Sequence, residues 1–162
     1  MDIKKRLGGF NTTVALFSSS PLEEIEANEG AFVSCQDVFF PPSIMLKAQE
    51  GAEIAALLDV QNVKTKTASG GIVNLKGSAV VQYHSVVTGG VVEAAMLDSE
   101  QVEVKVKAGG RAAVNASELA EIKVSLGGSV SVYGQPKKLI KSVAVGGNIE
   151  QKNTPIETAE NE

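Results

Sequence analysis

The sequence is poor in the residues that build disulfides and metal sites. Its single cysteine, Cys35, excludes a disulfide within the chain, and its single histidine, His84, lacks the nearby cysteine or histidine partners that a zinc site needs. Tryptophan is absent, and aromatic residues make up 4% of the chain. Small β-branched side chains must therefore fill the interior, and such residues favour strands. The composition predicts no cofactor and no metal.

A basic excess and a long apolar run are also missing. The net charge of −4 offers no basic face for nucleic acid. No apolar run reaches the ~18 residues of a transmembrane helix. The basic beginning of the chain is followed by Gly8, Gly9 and Asn11, which interrupt its apolar part, so we do not interpret it as a signal peptide. The 162 residues suit one domain with a continuous core.

What the sequence does contain is a glycine at nearly constant intervals. The members of this glycine column are Gly30, Gly51, Gly70, Gly89, Gly109, Gly127 and Gly146. By subtraction of their numbers, successive members are 21, 19, 19, 20, 18 and 19 residues apart. A fixed period of this length indicates a repeat architecture in which each repeat stacks on its neighbours.

Residues at fixed distances from these glycines alternate between apolar and polar. The third residue after each column glycine is apolar: Val33, Ile54, Val73, Val92, Ala112, Val130 and Ile149. A second alternating strand leads to the next glycine. Neither strand buries its apolar face alone, but turns stacked about 4.8 Å apart share one core. The pattern predicts an all-β fold, a single-stranded parallel β-solenoid (a right-handed β-helix) of about six to seven turns. A β-sandwich is the alternative, but it does not require glycines in register.

The ends of the chain depart from the repeat. We interpret residues 1–29 as an N-terminal capping segment in which Leu22 and Ile25 face inward, because a solenoid end exposes unpaired strand edges. Phe39 and Phe40 are predicted to form a bulged corner that plugs this end. Residues 30–151 form the solenoid in this interpretation. Residues 152–162 are acidic and polar, which predicts a disordered tail.

The later turns resemble a known family. The runs are GGIVNLKG from Gly70, GGRAAVNASELAEIKVSLGGSVSVYGQP from Gly109, and KKLIKSVAVGGNIE, which ends at Glu150. They are similar to the head GIN domain of auto-transporter adhesins. We place that family's Tyr-x-Gly-x-Pro element on Tyr133, Gly134 and Pro136, where the tyrosine and the glycine are adjacent. The resemblance extends from about Gly51 to Glu150. It implies an extracytoplasmic β-solenoid at the cell surface or in the periplasm, without an established enzymatic activity, and it identifies no binding residue.

The two residues with the most reactive side chains have structural interpretations. His84 falls in a nominally inward position, which favours a hydrogen-bonded structural histidine. Cys35 shares the inward column of Ala56, Leu75 and Ala94, which predicts a buried, inert thiol. A catalytic cysteine needs a neighbouring base that lowers its pKa, and the sequence shows none. No catalytic residue is therefore assigned.

Four acidic residues follow a column glycine by seven to nine positions: Asp37, Asp59, Asp98 and Glu118. They predict an acidic stripe along one corner, which could hold calcium or act on a carbohydrate. The alternative is turn chemistry, because aspartate is favoured in turns for backbone reasons.

Lysines recur at alternating positions of the second strands, and more follow in the last turn: Lys64, Lys66, Lys105, Lys107, Lys123, Lys137, Lys138 and Lys141. Together they predict a basic ladder on one face. A solvated face that prevents edge pairing is the default interpretation, and binding of an anionic glycan or lipid headgroup is the sharper one.

These observations favour a non-catalytic, adhesin-like solenoid that serves as a scaffold or interaction module of the cell envelope. Surface glycans or envelope proteins are the expected partners, and a homo-oligomer is left open. One rival is a carbohydrate-binding or carbohydrate-active solenoid that uses the acidic stripe. The other is a subunit of a self-assembling envelope or cytoskeletal filament, which predicts bare apolar ends.

Overall fold

A computed structural model describes Ala15, Ser18 and residues 20–153, with the side chain of Gln36 excepted. All regular structure in this part is β-strand. The strands are β1 (Glu24–Ala27), β2 (Phe32–Phe39), β3 (Ser43–Gln49), β4 (Glu53–Ala68), β5 (Ile72–Val87), β6 (Val91–Lys107), β7 (Arg111–Asn115), β8 (Leu119–Ser125), β9 (Gly128–Tyr133), β10 (Lys138–Val143) and β11 (Gly147–Gln151).

Every strand pairing in this part of the chain is parallel and joins residues about one repeat apart. Glu53 pairs with Ile72, for example, and Ile72 pairs with Val91. The result is a parallel β-solenoid of about seven turns, which confirms the predicted fold class. The right-handed sense of the winding stays a prediction.

Two stacks of strands make up the solenoid, and the three long strands contribute to both. Sheet 1 contains β2, the first halves of β4, β5 and β6, and then β7, β9 and β11. Sheet 2 contains β1, β3, the second halves of the same long strands, and then β8 and β10. Each sheet has an inner face toward the core and an outer face.

The core is a set of apolar columns that run through the turns. The column three residues after the glycines is buried from Val33 to Val130, and each of its members down to that turn is at most 7% exposed. Strand alternation places every second side chain in this interior. Burial of apolar surface in each turn requires the next turn, so stacking is the main source of stability.

The glycine column forms one edge of the solenoid, as predicted. All seven glycines have a left-handed backbone, with φ between +69° and +79°. At the second corner Glu50 is also left-handed, and the Ala52 N–H donates to the Gln49 carbonyl at 3.0 Å, which is the pattern of a type I′ turn. The Gly51 N–H donates to the Ser69 carbonyl of the next turn at 3.1 Å, so the hydrogen-bond ladder continues through the corner.

A second glycine column follows the first and has a different physical cause. Its members are Gly71, Gly90, Gly110, Gly128 and Gly147. A Cβ at Gly71 would overlap the backbone carbonyl of Ala48, and one at Gly90 would lie 2.7 Å from the Thr67 hydroxyl oxygen. Space, rather than backbone conformation, therefore requires glycine at these two positions. The doublets in the sequence contained this signal, but the sequence interpretation used only their first member.

The N-terminal end agrees with the sequence in part. Ile25 is buried at 8% exposure and Leu22 packs against the core, as predicted, but β1 also pairs with β3, so the strand stack begins before Gly30. Phe39 packs against the core, whereas Phe40 is 76% exposed, so the prediction that both phenylalanines plug this end is wrong. Their side chains differ because β2 ends at Phe39 and Phe40 lies beyond it.

Most of the two terminal predictions fall outside the described residues. Of the predicted tail, only Lys152 and Asn153 are described. The Lys152 N–H donates to the Val132 carbonyl at 2.8 Å, so the ladder of sheet 1 extends one residue past β11. In the last described turn the inward positions are more open, and Val143 is 50% exposed.

Candidate functional site

Sheet 2 presents its outward side chains in columns, because strands stacked in register place equivalent residues side by side. One column contains Glu24, Met45, Lys64, Tyr83, Glu103, Glu121 and Ile140. The adjacent column contains Glu26, Lys47, Lys66, Ser85, Lys105, Lys123 and Ser142. We call this surface the sheet 2 outer face.

Three lysines of this face form salt bridges with glutamates. Lys47 lies 2.6 Å from Glu24, and Lys105 lies 2.6 Å from Glu103. Lys123 and Glu121 form a third pair at 2.6 Å. The hydrogen bond between Lys123 and Glu121 raises the pKa of the lysine and lowers the pKa of the glutamate, so both stay charged near neutral pH. The two charges cancel within the pairs of Lys105 and Lys123, whereas Lys47 also lies 3.7 Å from Glu26, which leaves one carboxylate in excess beside it.

Lys64 and Lys66 differ from these three. Neither has a carboxylate within salt-bridge distance among residues 20–153. The Lys64 ammonium lies 5.7 Å from the centroid of the Tyr83 ring, within the range of a cation–π interaction. Tyr83 is 38% exposed. Within the described residues this pair of lysines therefore has no paired carboxylate, and it lies beside an accessible aromatic ring.

A depression lies next to this ring. It occurs where Ser85 stands between Lys66 and Lys105 in the lysine column. The short serine side chain leaves room that a lysine would occupy. We call the group Lys64, Lys66, Tyr83, Ser85 and Lys105 the lysine–tyrosine patch.

The predicted basic ladder is thus distributed over several places. Lys107 lies in a third outward column of sheet 2, aligned with Val87 and Ser125. Lys137 is bonded to Glu118 at 2.7 Å, and Lys138 begins the last strand of the sheet. Lys141 does not belong to an outer column, because it pairs with the buried Ile122 and occupies a core column.

The fold brings together only two of the four acidic residues of the predicted stripe. Asp59 and Asp98 share a column with Ser78, whose hydroxyl donates to Asp59 at 2.8 Å. Asp98 accepts a hydrogen bond from the Asn115 amide at 2.7 Å. Both carboxylates are therefore hydrogen-bonded to neutral side chains.

The other two members of the predicted stripe lie outside this column. Asp37 falls within the register shift of β2, between Ser34 and Val38, and Glu118 lies beside Lys137. Among the described residues, no three His, Cys, Asp or Glu side chains are grouped so that they could hold a metal ion. The calcium and carbohydrate chemistry suggested for the stripe stays a prediction.

His84 lies in the core, in a chain of side-chain hydrogen bonds. The Gln82 amide nitrogen donates to the Leu97 carbonyl at 2.9 Å, which leaves the Gln82 side-chain oxygen as an acceptor. His84 Nε2 lies 2.7 Å from that oxygen and must donate to it. His84 Nδ1 then accepts from the Thr65 hydroxyl, 2.8 Å away. Burial lowers the pKa of His84 to about 3, so the imidazole is neutral.

Cys35 is less buried than its column suggested. It is only half-buried, because β2 shifts register immediately after Ser34 and the column does not continue regularly to Ala56. Burial nevertheless raises the pKa of the thiol above its ordinary value. A raised pKa disfavours the reactive thiolate, which agrees with a structural role.

The Tyr133, Gly134 and Pro136 motif forms a corner of the sixth turn. Tyr133 is 8% exposed, and its carbonyl accepts from the Ala116 N–H at 3.2 Å. Gly134 has φ of +82°, and a Cβ there would overlap the side-chain oxygen of Asn115. The motif therefore provides a tight corner against the preceding turn, and the glycine is required by both conformation and space.

This geometry defines a class of protein: a parallel β-solenoid whose turns share one apolar core and carry their outward side chains in columns. A family model described as "Putative auto-transporter adhesin, head GIN domain" matches residues 1–136. The chain belongs to this head GIN domain family. The matched residues begin and end earlier than the resemblance noted in the sequence, so they include the first turns and leave out the last one.

A solved structure has the same fold. It is the crystal structure of a putative adhesin from Bacteroides fragilis NCTC 9343, with a TM-score of 0.68 and 21% sequence identity. The match covers 75% of this chain and 56% of that chain, so the present sequence spans little more than half of it. No curated protein matches the sequence. Within the described residues, no helix has the length and apolar character needed to cross a bilayer.

Proposed function

We propose that this domain is a non-catalytic, adhesin-like head at the cell surface, and that its sheet 2 outer face makes the contacts with a partner. The family description supports an adhesive role and a surface location. The observation that carries the proposal is the composition of the sheet 2 outer face. Long charged side chains and an exposed tyrosine line up there on adjacent strands.

The outer face of sheet 1 offers less to a partner. Four of the seven side chains in one of its columns are short, and the two charged ones are both acidic: the column contains Ser34, Ala55, Asn74, Glu93, Ala113, Ser131 and Glu150. Aromatic residues and methionine are enriched in interaction surfaces, and alanine and serine are depleted in them. The sheet 2 outer face has Met45 and Tyr83 in one column, whereas this column of sheet 1 contains neither type of residue.

The remaining chemistry of the described chain supports binding rather than catalysis. General acid–base catalysis needs a titratable group within reach of a substrate and with a pKa near the working pH. His84 is sealed in the core with a pKa of about 3. Asp59 and Asp98, which the enzyme alternative requires, are hydrogen-bonded to neutral side chains and are not joined by the other two acids.

Oriented display tests this proposal directly. In a Cys35→Ser background, a cysteine is introduced at Lys123 on the sheet 2 outer face or at Ser131 on the sheet 1 outer face, and is biotinylated. Streptavidin beads then present the folded domain with one face hidden, and their adhesion is measured on immobilised mucin, matrix proteins and bacterial envelopes. Beads loaded through Ser131→Cys are expected to adhere, and those loaded through Lys123→Cys are not.

Equal adhesion of the two bead types contradicts the assignment of the face. Adhesion no stronger than that of beads coated with the urea-unfolded chain contradicts the adhesive function itself. Circular dichroism of both cysteine variants before loading provides the folding control.

A further inference from the structure

We infer that the lysine–tyrosine patch is a binding site for acidic polysaccharides, that is, sugar chains that carry carboxylate or sulfate groups. This inference rests on the proposed binding role of the sheet 2 outer face and adds the chemical class of its ligand. It depends on four features of the patch: uncompensated charge, an accessible ring, room for a ligand group and compensated surroundings.

Charge is the first feature. Lys64 and Lys66 project from the same face of β4, two residues apart, and neither is paired with a carboxylate in the described part of the chain. Two adjacent ammonium groups without counter-charges attract an anion strongly, and ammonium–carboxylate or ammonium–sulfate hydrogen bonds are stronger than neutral ones. A neutral sugar gains nothing from these charges.

The aromatic ring is the second feature. Tyr83 is level with Lys64 on the neighbouring strand and is 38% exposed. The face of a tyrosine ring packs against the apolar C–H side of a sugar ring, while its hydroxyl offers a hydrogen bond. The Lys64 ammonium lies over the ring, 5.7 Å from its centroid, so a sugar that packs on this face takes its place and brings an acidic group within reach of the displaced ammonium.

Space is the third feature. Ser85 interrupts the lysine column, and the resulting depression is bordered by Lys66, Tyr83, Lys105 and Glu103. An acidic group in this depression would lie beside the Lys66 ammonium and the serine hydroxyl, with the Lys105–Glu103 pair on its other side. The depression is shallow and open, which suits an extended polymer that lies across several strands and does not suit an enclosed small molecule.

The surroundings supply the fourth feature. The nearest acidic side chain of the face, Glu103, is bonded to Lys105 at 2.6 Å, so it does not repel an anion with its full charge. The compensated pair Lys123–Glu121 flanks the patch on one side along the solenoid. On the other side Lys47 lies 2.6 Å from Glu24 and 3.7 Å from Glu26, so one carboxylate is in excess there. The attraction is therefore confined to the patch, although the chain as a whole has a net charge of −4.

Binding of the full chain to three polysaccharides tests the inference: heparin, which is sulfated; alginate, which is carboxylated; and dextran, which is neutral. Biolayer interferometry at low salt is expected to detect heparin or alginate and not dextran. The double variant Lys64→Gln/Lys66→Gln is expected to reduce the affinity about tenfold or more, and Tyr83→Ala by a smaller factor. Lys137→Gln, which removes a lysine that is paired with Glu118 and lies outside the sheet 2 outer face, should stay within about twofold.

The inference is overturned if no acidic polysaccharide binds, if dextran binds equally well, or if Lys137→Gln weakens binding as much as the double variant. Binding only to vesicles that contain anionic lipid, with no response to heparin or alginate, also overturns it. If the oriented beads adhere while all three polysaccharides fail to bind, the ligand class is wrong and the adhesive function stands. Thermal unfolding of each variant controls for folding.

Discussion

His84 and Gln82 share a hydrogen bond of 2.7 Å in the interior of the solenoid, on the same face of β5. Both residues are at most 3% exposed. In the next turn Val102 and Val104 take the equivalent positions in the same core columns. One polar layer, joined to Thr65, is thus enclosed within a mostly apolar core. Because buried polar groups are costly when unpaired, this layer disfavours any shift of β5 relative to its neighbours.

The buried imidazole predicts a pH dependence of stability. Its pKa is about 3 in the folded chain and about 6.5 when unfolded, so the unfolded state takes up a proton first as the pH falls. The contribution of His84 is therefore fully present above about pH 6.5 and is lost progressively toward pH 3, by up to about 1.4 kcal/mol per pH unit. Urea unfolding of the wild type and of His84→Gln between pH 7 and pH 4 measures the difference.

The stability of His84→Gln should fall less steeply over that range. Carboxyl groups titrate in both proteins, so their contribution to the pH dependence of stability cancels when the wild type and the variant are compared. If the two stabilities run parallel from pH 7 to pH 4, the imidazole is not held neutral by burial.

The two glycine columns predict different costs for one added methyl group. Gly70→Ala meets no atom within 4 Å but must keep φ of +75°, which costs about 1–2 kcal/mol in a left-handed residue. Gly71→Ala places its Cβ on the Ala48 carbonyl, and a backbone group gives way less easily than a side chain. We expect a loss of about 3 kcal/mol or more, at or above the upper end of ordinary overpacking. Chemical denaturation of both variants checks the order, and Gly70→Ala as the more damaging change would refute it.

Truncation of a core leucine tests how much side-chain packing in the interior contributes to the stability of the solenoid. Leu75 is 1% exposed, so Leu75→Ala should cost about 2–5 kcal/mol through lost burial and the cavity that remains. Leu126 is 68% exposed, and Leu126→Ala should change the stability by no more than about 0.5 kcal/mol. Thermal melts of the two variants give the comparison. Similar shifts would mean that the interior around Leu75 is not closely packed.

The position of Lys141 leads to a prediction about self-association through the last described turn. It occupies the core column that contains Ile25, Leu46 and Ile122, so its charge is placed where a further turn would stack. An inward-pointing charge on an edge strand discourages edge-to-edge association. Lys141→Ile is therefore expected to increase self-association, seen by light scattering across concentration, whereas Lys138→Ile on the outer face serves as the control.

The same measurement bears on the filament alternative. That alternative requires the wild type to form elongated assemblies as its concentration rises. A wild type that stays at one mass while Lys141→Ile assembles would show that the lysine limits end-to-end growth.

Much of the architecture could be predicted because its causes are local and repeated. A left-handed corner favours glycine in every turn, and strand alternation places every second residue inside, so both leave a period in the sequence. Tyr133, Gly134 and Pro136 do not repeat along the chain, and they were recognised through the resemblance to the head GIN domain family. The second glycine column was visible as doublets, but its cause, contact with the preceding turn at Ala48, could not be seen in a linear sequence.

The residues of the candidate site show where sequence reasoning stopped. All eight lysines looked alike along the chain, yet Lys105 and Lys123 have glutamate partners, whereas Lys64 and Lys66 have none among residues 20–153. Asp37 and Asp59 stood at similar distances from a glycine, but a register shift in β2 separates them. Repeat length varies between turns, so small insertions decide which side chains meet across strands.

The sequence alone was enough for the repeat, the strand directions within it and the apolar interior, because these follow from backbone conformation and from the need to bury every second side chain. The folded chain was needed to show which charges are cancelled, how far Cys35 and Phe40 are exposed, and that Ser85 leaves a depression beside Tyr83. These properties depend on contacts between residues one turn apart. Such contacts are set by register and side-chain packing, and neither leaves a periodic signal in the sequence.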